Sequence, residues 1–175
     1  CKHCGGDGIV KGDEVVEINI PAGVEDGMCV SVRGKGNAGK HNGINGDIQV
    51  LIQEEKSDIF ERNGQDLYYN LVLDFTTATL GGEVEVPTID GKTTLKIEPG
   101  TQPGKQMRLR GKGLPAVQGY GYGKGDIIVN ITVFVPKTLT KEEKALVLKF
   151  KECENFKADN ATKKSLFESF KNLFK

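Results

Sequence analysis

The feature that most constrains the fold of this chain is an internal repeat. Residues 21–36 read PAGVEDGMCVSVRGKG, and residues 98–113, which lie 77 positions later, read EPGTQPGKQMRLRGKG. The residues that recur are Gly23, Gly27, Arg33, Gly34, Lys35 and Gly36, matched by Gly100, Gly104, Arg110, Gly111, Lys112 and Gly113. A Gly-Asp-Ile triplet follows each copy, at 46–48 and at 125–127. The sequence therefore predicts a duplicated domain.

Alternating apolar residues indicate that the repeated unit is built from β-strands. Between 14 and 20, Val16, Ile18 and Ile20 fall on one face of a predicted half-buried strand. The other predicted strands and hairpins cover 28–33, 48–52, 67–73, 84–97, 107–109 and 127–135. Turn signals at Asn63-Gly64 and Asp90-Gly91 separate several of them. The 23 glycines cluster at such turns, which is typical of short strands joined by tight connections.

Two helices are predicted after the last strand. Thr140 and Glu143 have the spacing of a capping box, and Leu146, Phe150 and Cys153 follow at helical spacing. A second helix, which Asn160 can cap, carries an apolar stripe. The members of this stripe are Leu166, Phe167, Phe170, Leu173 and Phe174. The stripe must be buried, either against its own domain or against a two-fold partner.

The first residues, CKHCGGDG, carry a Cys-x-x-Cys pair. Cys1 and Cys4 have the spacing of two zinc ligands, and Gly6 and Gly8 permit the turn that points backbone amides at sulfur. Because a structural zinc takes four ligands, the pair is interpreted as half of a zinc site, with a redox pair and an incidental occurrence as alternatives. The remaining cysteines, Cys29 and Cys153, are expected to be small buried hydrophobic residues.

Charge and motifs argue against several classes of function. Lys+Arg and Asp+Glu both number 24, which weakens nucleic-acid and anionic-membrane hypotheses. The histidines are His3 and His41, and no nucleophile, base and orienting group can be assembled from recognisable motifs, so no enzyme activity is expected. The RGKG segments are interpreted as tight turns with exposed basic side chains, not as phosphate loops. A cytoplasmic location is expected.

Taken together, these motifs resemble the C-terminal substrate-binding region of type I J-proteins, the DnaJ co-chaperone class. The resemblance covers essentially the whole chain. It is carried by Cys-x-x-Cys-x-Gly-x-Gly at 1–8, IPAGVEDG at 20–27, RGKG followed by Gly46-Asp47, DIFERNGQDL at 58–67, LGGEVEVPTIDG at 80–91 and RLRGKG at 108–113. A long ordered match of this kind is specific, whereas RGKG alone is almost uninformative.

The resemblance implies a mainly-β fold. Two tandem, similar β-sandwich domains, the first one truncated, would be followed by a C-terminal α-helical dimerisation segment. The expected boundaries are a zinc-region remnant at 1–10, a partial first β-domain at 11–57, a second β-domain at 58–137 and the helical segment at 138–175. Cys1 and Cys4 would be the last of four zinc-binding repeats, with partners upstream. Zinc is thus expected in the full-length protein, and none bound stoichiometrically here.

The resemblance also implies a function. A homodimer, formed through the 166–174 stripe, would bind exposed apolar segments of unfolded client proteins by β-augmentation and deliver them to a DnaK-class ATPase chaperone. The expected client-binding residues are Val30, Val32, Ile48, Val50, Ile52 and Phe60, although plain sandwich core is the favoured interpretation for most of the five aliphatic ones. Two alternatives remain at this point: a structural dimerisation module without client binding, and a Cys1/Cys4 thiol oxidoreductase.

Overall fold

The computed structural model describes residues 2, 4–6, 8–117, 121–158 and 160–172. Its strands are β1 Cys29–Val32, β2 Ile48–Leu51, β3 Phe60–Asn63, β4 Asp66–Asp74, β5 Gly82–Thr88, β6 Gly91–Ile97, β7 Gln106–Leu109 and β8 Ile127–Phe134. Its helices are α1 Phe75–Leu80, α2 Lys141–Glu152 and α3 Asn160–Asn172, with 3-10 turns at Lys40–Asn42 and Glu154–Phe156. The chain divides into two compact units, Cys1–Phe134 and Val135–Lys175. The predicted mainly-β fold is confirmed.

The described residues of the first unit form three sheets. Strands β1 and β2 form an antiparallel ribbon, β5 and β6 form a hairpin, and a four-stranded sheet has the order β3-β4-β8-β7. In that sheet β4 runs parallel to β8, and the other pairs are antiparallel. The four-stranded sheet and the hairpin share one hydrophobic core, which comprises Leu67, Leu71, Leu73, Ala78, Val86, Leu95, Ile97, Ile127, Val129 and Ile131. The second half of the repeat therefore has its own packed interior.

The two copies of the repeat close their glycine-rich loops with the same hydrogen bonds. In the first copy the Gly34 N–H donates to Asp47 Oδ1 at 2.8 Å, and the Gly36 N–H donates to the Gly46 carbonyl at 2.7 Å. The equivalent bonds in the second copy, both 2.8 Å long, run from Gly111 N–H to Asp126 Oδ1 and from Gly113 N–H to the Gly125 carbonyl. The basic side chains of both RGKG segments are exposed. The interpretation of RGKG as a turn is confirmed.

The predicted strand over 14–20 is wrong. The segment enters no sheet; Val16 and Ile18 are half-buried, but Ile20, expected on the same face, is 55% exposed. A strand needs a neighbouring strand to pair its N–H and C=O groups. Within the described residues no strand pairs with this segment, so its apolar alternation has no sheet to join.

Two local elements differ from the sequence interpretation. The segment around Phe60, where the sequence pattern predicted no strand, forms strand β3 at the edge of the four-stranded sheet and pairs with β4. The small-residue stretch after β4 forms helix α1, because Asp74 acts as its N-cap and its carboxylate accepts the Thr77 N–H at 2.9 Å. Hydrogen bonds from the Thr77 hydroxyl and, second, from the Thr77 N–H lower the pKa of Asp74.

Cys29 and Cys153 are both exposed, so the expectation of two buried cysteines is wrong. Cys29 lies on β1, where exposed and half-buried residues alternate, and it falls on the exposed face. Cys153 is the C-cap of α2, a helix that has no buried residue.

The second unit begins with the predicted capping box. Thr140 Oγ1 accepts the Glu143 N–H at 3.2 Å, and the Glu143 carboxylate accepts the Thr140 N–H at 2.8 Å. The bond from the Thr140 N–H to the carboxylate and, second, a bond from the Thr140 side chain lower the pKa of Glu143. The ring of Phe150, in the last turn of α2, stacks on that of Phe156, in the 3-10 turn that follows, with centroids 4.9 Å apart. Among the helices described, none has the length and apolar character that a bilayer span demands.

Candidate functional site

Strands β1 and β2 form a ribbon with one apolar face. Val30 pairs with Val50 and Val32 pairs with Ile48, and all four side chains are half-buried. Ile52 is also half-buried, and its N–H donates to the Met28 carbonyl at 2.8 Å, which extends the pairing beyond β2. Because side chains alternate along a strand, these five lie on the same face. The structure thus brings together five of the six residues expected to bind clients.

The other features of this ribbon concern its reverse face and its edges. Cys29, Ser31, Gln49 and Leu51 are exposed on the reverse face. Each strand of a two-stranded sheet is an edge strand with one row of N–H and C=O groups directed away from its partner. Among the described residues no further strand pairs with either edge. The ribbon therefore offers backbone hydrogen-bonding groups beside an apolar face.

Phe60 lies in a different sheet from the other five. It begins β3, packs against the core of the four-stranded sheet, and has its ring centroid 5.9 Å from that of Tyr69. Phe60 also lines a cavity of about 780 Å³ between the hairpin β3–β4 and the segments that flank the ribbon. The residues around this cavity are Glu25, Asp26, Gln53, Glu54, Glu55, Lys56, Ser57, Phe60, Glu61, Arg62, Gly64, Leu67, Ile89 and Leu114.

One residue that sequence reasoning missed joins the ribbon to the four-stranded sheet. The Arg62 guanidinium donates from Nη1 to the Val24 carbonyl at 2.8 Å and from Nη2 to the Gly23 carbonyl at 2.9 Å. Its Nε donates to the Gly64 carbonyl at 2.9 Å, and Nη1 also lies 3.1 Å from Glu54 Oε2. The Arg62 side chain is only 16% exposed. No local pattern marks such a residue, because its partners lie up to 39 positions away.

Gly23 lies at the same junction. It has a φ of +83°, and a Cβ at this position would collide with the Pro115 carbonyl oxygen. The turn that precedes β1 is thus held against the loop after β7 by close backbone packing, and Arg62 holds the same turn to β3. Both contacts join the first copy of the repeat to residues of the predicted domain 58–137.

The opening loop presents Cys4 to backbone amides. Gly5, Gly6 and Gly8 have φ values of 59°, 101° and 76°, a conformation that glycine adopts readily. Hydrogen bonds from the backbone N–H groups of Gly6 and, second, of Gly8 lower the pKa of the half-buried Cys4 thiol. A thiolate held in this way suits a zinc ligand. Cys1 lies outside the described residues, among which no cluster of three or more potential metal ligands occurs.

Of the five residues in the apolar stripe of α3, Phe167 is the one whose side chain the structure describes. The Phe167 side chain is 56% exposed, and the Lys171 ammonium lies 4.8 Å from the centre of its ring. Leu166 and Phe170 lie within α3, but their side chains are outside the described part of the structure, as are Leu173 and Phe174 altogether. The dimerisation residues therefore stay a prediction.

Comparison with known proteins identifies one family. The family model described as "DnaJ C terminal domain" matches residues 7–136. A relative named "Chaperone protein DnaJ" from Bacteroides fragilis is 57% identical over 174 residues, which cover 99% of this chain and 44% of the relative. Proteins of the same name from Porphyromonas gingivalis and Fusobacterium nucleatum are 44% and 43% identical, with 99% and 100% of this chain and 45% and 44% of each relative covered. The chain spans less than half the length of these relatives.

Proposed function

The chain belongs to the DnaJ C-terminal domain family, and on that premise we propose that it is the client-binding and dimerising part of a DnaJ-type co-chaperone. It binds exposed apolar segments of unfolded proteins and holds them for a DnaK-class ATPase chaperone in the cytoplasm. It needs no catalytic residue, since transfer of a client requires only binding and release. The observation that carries this proposal is the β1–β2 ribbon, whose apolar face adjoins strand edges with which no other described strand pairs.

The mode of binding that suits this ribbon is strand addition. An extended client segment would donate and accept main-chain hydrogen bonds along one edge, and alternate side chains would contact the face formed by Val30, Val32, Ile48, Val50 and Ile52. Main-chain bonds do not depend on the client sequence, whereas the face favours apolar side chains. Such a site accepts many different unfolded chains and rejects folded ones, whose backbones are already paired.

A matched pair of substitutions on β2 tests this proposal. Val50→Thr keeps a β-branched side chain but places a hydroxyl on the half-buried face, so we expect affinity for an apolar extended peptide to fall about 3–10-fold. Gln49→Thr makes the same side chain on the exposed face of the same strand, and affinity should stay within about twofold of the wild type. Fluorescence anisotropy of a labelled peptide measures both. Equal losses of affinity in the two variants, or no peptide binding by a dimeric wild type, would contradict the proposed client binding. The chain would then be interpreted as an assembly module.

Dimerisation is proposed to involve the stripe of α3 that contains Leu166, Phe167, Phe170, Leu173 and Phe174. What supports it is the exposure of the Phe167 ring, because a large apolar surface of this kind marks an interaction site when its neighbours are apolar too. Phe167→Asp should therefore convert a dimer to a monomer in sedimentation velocity. Ala161→Asp, on the opposite side of the same helix, should remain dimeric. A wild type that is monomeric at all accessible concentrations contradicts this assignment.

Zinc is proposed as a structural cofactor of the whole protein. Cys1 and Cys4 would supply two thiolate ligands, and the Gly6 and Gly8 amides would stabilise the Cys4 thiolate. The zinc would fix the loop and would take no part in client binding. The domain boundaries at 1–10, 11–57, 58–137 and 138–175 are part of the same proposal.

A further inference from the structure

The cavity that Phe60 lines has an apolar floor and an acidic rim, and we call it the junction groove. Its floor is formed by Phe60, Leu67, Ile89 and Leu114. Leu67 is buried, Phe60 and Leu114 are half-buried, and Ile89 is 48% exposed. The carboxylates of its rim belong to Glu25, Asp26, Glu54, Glu55 and Glu61. At about 780 Å³ the groove is large enough for one bulky side chain and the backbone that carries it.

The rim carries more negative charge than the structure itself neutralises. Its cationic side chains are Lys56 and Arg62, against the five carboxylates. Arg62 is already engaged with Glu54 at 3.1 Å and lies 3.9 Å from Glu25. Glu55 and Glu61 are exposed and make no ion pair within the described part of the chain. A concave surface with an excess of one sign attracts ligands of the opposite sign.

The arrangement of these carboxylates suits an extended cation better than a metal ion. They are spread along 25–26, 53–57 and β3, and nowhere in the described ranges do three potential ligands converge closely enough to hold a metal. An extended peptide can match such a spacing, because its successive side chains are about 3.3 Å apart along the backbone and point alternately to two sides.

We propose that the junction groove selects client segments in which an apolar side chain is flanked by lysine or arginine. The apolar side chain contacts the floor beside Ile89, and the flanking cations lie against Glu55 and Glu61. The groove adjoins the β1–β2 ribbon through residues 53–57, which follow β2 directly, so one extended segment can contact both. This inference rests on the proposed client-binding function and adds a preference for charge to it.

Three peptides test this preference. They share the same apolar central side chain and differ in whether lysine, serine or glutamate flanks it. With the wild-type chain at low salt we expect the lysine-flanked peptide to bind about 3–10-fold more tightly than the serine-flanked one, and the glutamate-flanked peptide to bind most weakly. The preference should shrink at high salt, because the rim is exposed to solvent. In the double variant E55Q/E61Q the preference for lysine should fall by about the same factor, while the serine-flanked peptide binds as before.

The control is E17Q/E83Q, which removes two exposed carboxylates outside the groove and should keep the preference. Ile89→Ser, on the exposed turn between β5 and β6, removes part of the floor without touching the core and should weaken binding of all three peptides. Equal affinities for the three peptides in the wild type would overturn the inference but leave the proposed client binding intact. Equal losses in E55Q/E61Q and E17Q/E83Q would overturn it too. No binding of any apolar peptide would overturn both.

Discussion

Arg62→Ala should destabilise the first unit by about 2–4 kcal/mol, since it leaves partly buried carbonyls without donors. The Gly23 and Val24 carbonyls and Glu54 lose their partner, and the turn before β1 loses the clamp that holds it to the β3–β4 hairpin. Chemical denaturation measures the loss of stability. Hydrogen exchange should locate it, with faster exchange of the β1–β2 amides than of those in β4 and β8.

Two further arginine variants give this prediction its controls. Arg110→Ala removes an exposed arginine of the second RGKG segment, and its effect should stay within about 0.5 kcal/mol. Arg62→Lys keeps the positive charge, but a lysine ammonium lacks the planar guanidinium that binds several carbonyls at once. This variant should therefore recover only a minor part of the lost stability. If Arg62→Ala lowered the free energy of unfolding no more than Arg110→Ala does, the Arg62 clamp would not stabilise the contact between the turn before β1 and the β3–β4 hairpin.

Gly113→Ala should cost about 3 kcal/mol because the added methyl group overpacks a backbone crossing. Its Cβ would lie 2.6 Å from the Gln65 carbonyl oxygen and 2.7 Å from the Asp126 nitrogen. The Gln65 carbonyl, which lies in the β3–β4 turn, accepts the Leu114 N–H at 2.8 Å. A displacement of Gln65 would therefore also disturb the register in which the β3–β4 hairpin pairs with β8. Thermal unfolding followed by circular dichroism should show a lower midpoint.

Two other glycines distinguish the cost of steric crowding from the cost of an unfavourable backbone conformation. Gly111 has a φ of +66°, but no atom lies within 4 Å of the point that its Cβ would occupy, so Gly111→Ala should cost only about 1 kcal/mol for its left-handed conformation. Gly12→Ala meets neither problem and should be close to neutral. A smaller loss for Gly113→Ala than for Gly111→Ala would show that the crossing relaxes.

Local sequence patterns predicted the hairpin β5–β6 and the Thr140–Glu143 capping box, whose stabilising contacts join residues close in sequence. The alternating residues of β4 were enough to predict a strand, but they did not indicate its pairing with β8, which lies 60 positions away. The RGKG repeat was also informative, because both copies use the same glycine amides and aspartate to close a loop. Each of these features combines a residue type with a fixed spacing.

The features that sequence patterns missed depend on distant partners. The segment 14–20 alternates like a strand, but alternation alone provides no neighbouring strand with which to pair. Strand β3 has only four residues, most of them polar, and it forms because β4 offers an edge. The Arg62 clamp and the junction groove arise where the first copy of the repeat meets residues of the predicted domain 58–137. They could not be predicted from either copy alone.

The proposed function depends on the addition of an extended client segment as a strand to the β1–β2 ribbon. Two peptides of identical side-chain sequence test this addition, one with backbone N-methyl groups on every second residue and one with them on the alternate residues. Because strand addition uses the amides of only one set, we expect one N-methylated peptide to bind about tenfold more weakly and the other almost as well as the unmodified peptide. Equal affinity of both N-methylated peptides would contradict strand addition.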